Sequence, residues 1–123
     1  MQKFSMYIGG EWRESASGRT FPSIDPYTGE SWAELPYGDA EDVDLAVAAA
    51  RKAFESEWGT TLGSERSRVL RQIAEGVQKH ADHLAYLETR DNGKLIREMS
   101  GQVKYLANYY HYFAGAADKI HVK

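Results

Sequence analysis

Leu87-Glu88-Thr89-Arg90-Asp91-Asn92-Gly93-Lys94 closes a long run of helical spacing with an acid, an amide and a glycine in succession. Gly93 can adopt the left-handed backbone that ends helices, and Asn92 tolerates it nearly as well. The block therefore predicts a helix stop. Asp91 then stands where the last carbonyls lack partners and the macrodipole is negative. A carboxylate there is unfavourable unless something positive lies near, such as Lys94 or a bound cation.

Outward from this block, everything after Gly38 reads as helix. Asp39 is a good N-cap, and Glu41 and Asp42 suit the positive end of a first helix. Val43, Ala46, Val47, Ala50 and Phe54 recur on one face of it. Glu57 to Thr61 reads as a connector. Ser64 is the expected N-cap of a second helix, with Val69, Leu70, Ile73, Ala74 and Val77 as its apolar face. A break near His80 separates it from a third helix, carried by Leu84, Ala85 and Leu87 to the Asp91-Asn92-Gly93 stop. A last helix is expected from about Glu98 to Ala117. Val103, Leu106, Ala107, Tyr110, Phe113, Ala114 and Ala117 form its stripe, which Tyr105, Tyr109 and Tyr112 widen.

Residues 1–37 read as hairpins. Tyr7-Ile8 and Glu11-Trp12 flank Gly9-Gly10, which supplies the positive φ angles of a type I′ turn. Ser15-Ala16-Ser17-Gly18 is a second turn. Thr20 to Ile24 is extended, and Pro22 assigns it to an edge or irregular strand. Asp25-Pro26-Tyr27-Thr28-Gly29 reverses the chain, with Pro26 pre-setting φ. Ser31 to Leu35 returns as a strand that Pro36 ends. No aliphatic run reads as a central parallel strand. The helix faces therefore look made for a sheet that these residues do not supply, and a marginal fold is expected.

Composition narrows the function. The 42% hydrophobic and 27% charged content is that of an ordered globular chain. A net charge of −3, with no basic cluster, gives no footprint for nucleic acid. No apolar run approaches the ~20 residues that span a bilayer. The first residues lack the apolar core of a signal peptide, so a cytoplasmic location is expected. There is no cysteine, hence no disulfide and no thiol nucleophile in these residues.

Four blocks together resemble the N-terminal segment of the NAD(P)-dependent aldehyde dehydrogenase superfamily. Tyr7-Ile8-Gly9-Gly10-Glu11-Trp12 is similar to the family's opening hairpin. Phe21 to Glu30 is similar to its second hairpin, with Asp25 in place of an asparagine. Asp42-Val43-Asp44 with Ala46 to Arg51 resembles its first helix. Leu87 to Lys94 resembles a block recurring across the family, although Arg90 and Leu95 depart from it. Tyr109-Tyr110 to Ala114-Gly115 and Ala117 to His121 also fit in order and spacing.

The resemblance implies an α/β fold: N-terminal β-hairpins, then three or four amphipathic helices, forming part of an incomplete Rossmann-like cofactor domain. It places a hairpin region at 1–37 and a helical region at 38–123. Family members are several times longer and usually homo-oligomeric. Their chemistry uses a cysteine thiolate, a glutamate-activated water and NAD or NADP. None of the catalytic or cofactor-binding residues falls within these 123, and no glycine-rich phosphate loop occurs. The chain alone is thus expected to be inactive and to bind no NAD(P). Its expected partner is the remainder of the enzyme or a full-length homologue. The alternative is a non-catalytic module that docks on such a partner through its apolar faces.

The resemblance also implies part of a monovalent cation site. By position, Ser23 and Ile24 would contribute backbone carbonyls and Asp91 its carboxylate, an all-oxygen set suited to Na⁺ or K⁺. The other reading of Asp91 is that it bonds turn amides or Lys94 at the helix end. His80 and His83, three apart, read as solvated surface, because no third ligand accompanies them. The Tyr105, Tyr109, Tyr110, Tyr112 and Phe113 cluster, without interleaved basic residues, reads as packing surface.

Overall fold

The computed structural model describes residues 1–119. The resemblance at Ile120 and His121 lies outside the described residues. The chain forms two compact units, dividing after Thr60. The change from strand to helix falls earlier, between Pro36 and Ala40. The first helix stays with the hairpins because it packs on one of them.

The first unit holds five strands: β1 (Gln2–Lys3), β2 (Met6–Ile8), β3 (Glu11–Arg13), β4 (Thr20–Ile24) and β5 (Ser31–Pro36). It also holds helices α1 (Ala40–Glu55) and α2 (Glu57–Thr60). β2 and β3 pair antiparallel, with Ile8 opposite Glu11. The turn between them has Gly9 at φ 63° and Gly10 at φ 89°, the type I′ geometry expected from the two glycines. A Cβ on Gly9 would lie only 3.6 Å from the Cβ of Ala49, so this turn rests directly on α1.

β4 and β5 pair antiparallel, and β1 joins the far side of β5 in parallel. Pro22 therefore lies in an edge strand, where its missing N–H costs no ladder bond. β1 was not anticipated. Two residues carry no periodicity, and their partner lies some thirty positions downstream.

Asp39 caps α1 and accepts from the Glu41 N–H at 3.1 Å. The expected apolar face of α1 is not buried, with Val43 at 59% and Phe54 at 62% exposure. Within the unit this helix packs on the small β2–β3 hairpin through β2 and on α2, and these cover little of its apolar face. The stretch expected as a connector contains the short helix α2.

The second unit is three helices: α3 (Gly63–Lys79), α4 (Ala81–Asn92) and α5 (Ile96–Ala116). α5 packs along both α3 and α4. Ala81, Ala85, Met99 and Val103 make a buried cluster, with Val77 packed against it. Ala74, Ala107 and Ala114 are buried as well. Such small side chains let helix axes approach closely. Gly63 marks a close approach, because a Cβ there would lie 2.6 Å from the Ala117 carbonyl oxygen.

Leu62, not Ser64, is the N-cap of α3, and it gives no side-chain bond. Only a residue without a Cβ fits at Gly63, the first residue of α3, against the Ala117 carbonyl. The break at His80 and the stop at Gly93 fall where the spacing places them. α5 starts at Ile96, two residues before the expected Glu98. Its buried line is Met99, Val103, Ala107 and Ala114, while Leu106 and Phe113 from the expected stripe are exposed.

Candidate functional site

The tip of the β4–β5 hairpin carries two of the three candidate cation ligands. Ser23 pairs with Ala33, yet Ile24 pairs with Ser31, so Trp32 is the extra residue of a β-bulge. A bulge takes backbone groups out of regular alternation and re-aims them. This one is fastened from the side. The Trp32 indole N–H donates to Ser23 Oγ at 2.9 Å, and the indole meets the Phe4 ring edge-on at 6.0 Å. Ser23 is buried, whereas the Ile24 side chain is half exposed.

Asp25 closes the tip. It is only 5% exposed, and its carboxylate accepts from the Tyr27 N–H at 2.9 Å, an Asx turn. The Gly29 N–H donates to the Asp25 carbonyl at 2.8 Å, and the Asp25 N–H donates to the Glu30 carbonyl at 2.9 Å. Gly29 accommodates the reversal at φ 71°. Ser23 and Ile24 thus lie on a braced stretch of backbone.

Asp91 belongs to the second unit, in the last turn of α4 and exposed. The stop beyond it is built as the Asp-Asn-Gly order implies. Gly93 is left-handed at φ 76°, and its N–H donates to the Thr89 carbonyl at 2.9 Å. Asn92 donates to Glu88 at 2.9 Å and accepts from the Lys94 N–H at 2.9 Å. The Lys94 ammonium lies 3.6 Å from Glu88.

A polar clamp that the spacing did not single out lies at the start of α1. Asp42 is 2% exposed. Its carboxylate accepts from the Asp39 N–H at 3.1 Å and from the Ala16 N–H at 3.0 Å. The first bond completes a capping box, and the second ties the Ser15–Gly18 turn to the helix. The pattern Asp39-x-x-Asp42 signals the box in sequence. Nothing local signals Ala16.

The N-terminus of α1, which could face a pyrophosphate, is filled by its own Asp39 and Asp42 carboxylates. α3 begins against the Ala117 carbonyl. His80 and His83 are exposed on the surface. No group of three His, Cys, Asp or Glu that could hold a metal occurs among the described residues. Among those residues, too, no helix is long and apolar enough to cross a membrane.

Glu34 is the titratable group that its surroundings perturb in the first unit. The Thr20 hydroxyl donates to it at 2.8 Å, and Lys3 lies 3.4 Å away. The Thr20 bond first, then Lys3, holds its carboxyl below the ordinary range. The contact fastens both neighbours of β5, since Lys3 is on β1 and Thr20 on β4.

A profile of the Aldehyde dehydrogenase family matches residues 12–123. The chain is 47% identical over 98% of its length to (Z)-2-((N-methylformamido)methylene)-5-hydroxybutyrolactone dehydrogenase of Acinetobacter baylyi, of which it covers 24%. It is 48% identical over 94% of its length to the mitochondrial aldehyde dehydrogenase family 2 member B4 of Arabidopsis thaliana, covering 22% of it. Its fold superimposes on the NAD-dependent aldehyde dehydrogenase of Sinorhizobium meliloti with a TM-score of 0.95 and 32% identity, over 100% of this chain and 25% of that one. The chain belongs to the aldehyde dehydrogenase family and matches its N-terminal segment. It spans about a quarter of the length of these relatives.

Proposed function

We propose that these residues form the N-terminal part of the cofactor-binding domain of an NAD(P)-dependent aldehyde dehydrogenase. The whole enzyme oxidises an aldehyde to a carboxylic acid. Its hydride acceptor is NAD or NADP, bound in a Rossmann-like domain of which this segment is one wall. The thiolate, the general base and the cofactor loop come from outside the 123 residues. The segment alone is inactive. What carries this reading, beside the family match, is the uncovered apolar surface. Val43, Val47 and Phe54 on α1, and Tyr105, Leu106 and Tyr109 on α5, stand in solvent. Exposed apolar faces of this extent mark surfaces that another element covers. In this reading the remainder of the enzyme covers them.

The same reading assigns Ser23 and Ile24, through their carbonyls, and Asp91, through its side chain, to a Na⁺ or K⁺ site completed by the rest of the enzyme. The braced hairpin tip supports it for Ser23 and Ile24.

Co-expression with a homologous aldehyde dehydrogenase that lacks its own N-terminal quarter tests the proposal. Stable co-purification is expected, with aldehyde-dependent NADH formation that neither part shows alone. Aldehyde oxidation by the 123-residue chain by itself would overturn it, as would failure of the two parts to associate.

One observation favours a second reading, a non-catalytic module docking on an intact homologue. The outer face of α5 forms an open groove lined by Gly101, Gln102, Tyr105, Leu106 and Tyr109. Co-elution with an intact, active family member would support that reading over the first.

A further inference from the structure

The Asn92–Gly93 pair has a chemistry that helix capping does not use. An asparagine followed by glycine is the pair most open to attack by its own backbone, because glycine has no side chain to shield its nitrogen. We propose that Asn92–Gly93 is a spontaneous deamidation site, held closed by the C-terminal cap of α4 and opened by fraying of that turn.

In the reaction the Gly93 backbone nitrogen attacks Asn92 Cγ. A bond forms between them, the Cγ–Nδ2 bond breaks, and ammonia leaves with the proton that Gly93 gives up. The resulting succinimide takes up water at either carbonyl, leaving aspartate or isoaspartate. No oxidant, reductant or enzyme is needed.

Both participants exist in the folded chain, and each is tied down. The Gly93 N–H is committed to the Thr89 carbonyl at 2.9 Å. The Asn92 amide is held at both ends, its Nδ2 donating to Glu88 Oε1 and its Oδ1 accepting from the Lys94 N–H, each at 2.9 Å. A carboxylate only accepts and a backbone N–H only donates, so this amide has one orientation. Asn92 is also the last residue of α4, and ring closure requires it to leave helical backbone angles. Attack therefore waits for the last turn to open. That turn is exposed from Asp91 to Lys94 and lies at a helix end, where opening is easiest.

The product deepens the opening. Aspartate at position 92 cannot donate to Glu88, and it places a second carboxylate next to Asp91 at the negative end of the helix. Isoaspartate also lengthens the backbone by a methylene and so spoils the spacing of the Gly93 cap. Conversion is one-way, and it marks chains whose α4 terminus has frayed.

The test follows the full 123-residue chain at mildly alkaline pH, with and without urea. Peptide-mapping mass spectrometry separates Asn92 from its aspartate and isoaspartate products, and hydrogen exchange of the Gly93 amide is measured on the same samples. Conversion in urea is expected to outpace that of the native chain by roughly tenfold or more, the factor set by an opening cost of about 1.4 kcal/mol. Glu88→Ala is expected to quicken both native conversion and Gly93 exchange severalfold. Glu88→Gln, which keeps an accepting oxygen, is expected to restore both. Equal conversion with and without urea would overturn the proposal, as would no conversion at Asn92 in either. A native Gly93 amide without protection would overturn the claim that the cap is closed.

Discussion

The two units hold themselves together in opposite ways. Among the described residues, the buried polar side chains Ser15, Ser23, Asp25 and Asp42 all belong to the first unit. The buried apolar ones, apart from Ala33, all belong to the second. The first unit has strands of two to six residues and tight reversals between them. Elements this short bury little apolar surface, and their turns leave backbone N–H groups that a side chain must satisfy. Asp25 and Asp42 do so. The second unit has three helices whose backbones satisfy themselves, so it is free to bury alanines, Met99 and Val103. The lesson is that turn-rich regions are secured by buried acceptors, and helical ones by close packing of small side chains.

The contrast can be broken from either side. The largest effect is expected from Met99→Ala, because Met99 is the bulkiest fully buried side chain and sits in the helical cluster. A loss of about 2–5 kcal/mol is expected from the cavity it leaves. Urea unfolding followed by helical circular dichroism reads it, and a loss under about 1 kcal/mol would deny the helices a packed core. Gly63→Ala comes next. Its Cβ would meet backbone, which cannot swing aside, so the start of α3 and the end of α5 must part. Overpacking of this kind costs about 1–3 kcal/mol. A melt as stable as that of the parent would show that the two helix ends are not held.

On the first unit, Asp42→Ala removes the acceptor for the Asp39 and Ala16 N–H groups. A loss of about 1–2 kcal/mol is expected, at the upper end for a cap because two donors are orphaned. Tryptophan fluorescence reports on this unit, since Trp12, Trp32 and Trp58 all lie within it. Asp42→Asn keeps an acceptor and should cost less. An equal loss for both would show that charge, not hydrogen bonding, holds the clamp.

The smallest effect is expected at Glu34, whose carboxyl is held below the ordinary range by Thr20 and then Lys3. The sign follows from linkage. A depressed folded pKa contributes stability that is present above the unfolded value and lost as the pH falls through the folded one. Thr20→Val should therefore raise the Glu34 titration midpoint, read by NMR, and weaken the acid-side stability of the sheet. An unmoved midpoint would assign the depression to Lys3 alone.

Much of the fold was legible because it is local. The Gly9-Gly10 turn, the Asp25 reversal, the edge strand at Pro22, the Asp39 cap and the Gly93 stop each follow from the chemistry of a few adjacent residues. The missed features depend on distant ones. β1 exists only through β5, the Leu62 start of α3 through Ala117, and the second role of Asp42 through Ala16. Met99 carries no mark in sequence that separates it from Leu106. The candidate site divides in the same way. The turn around Ser23 and Ile24 could be read from Asp25 to Gly29, but the Trp32 bulge that braces it depends on strand pairing.

The sequence by itself determined where this chain turns, where its helices stop and which family it belongs to. Turn and cap preferences are set within a few residues by allowed backbone angles and nearby donors. Only the tertiary structure decided which apolar positions are buried. Met99, Val103 and Ala107 are covered because α3 and α4 lie against α5, while Val43, Val47 and Phe54 show equally good helical spacing and are not. Periodicity states that a face is apolar, and burial also requires a neighbour whose position the pattern does not encode.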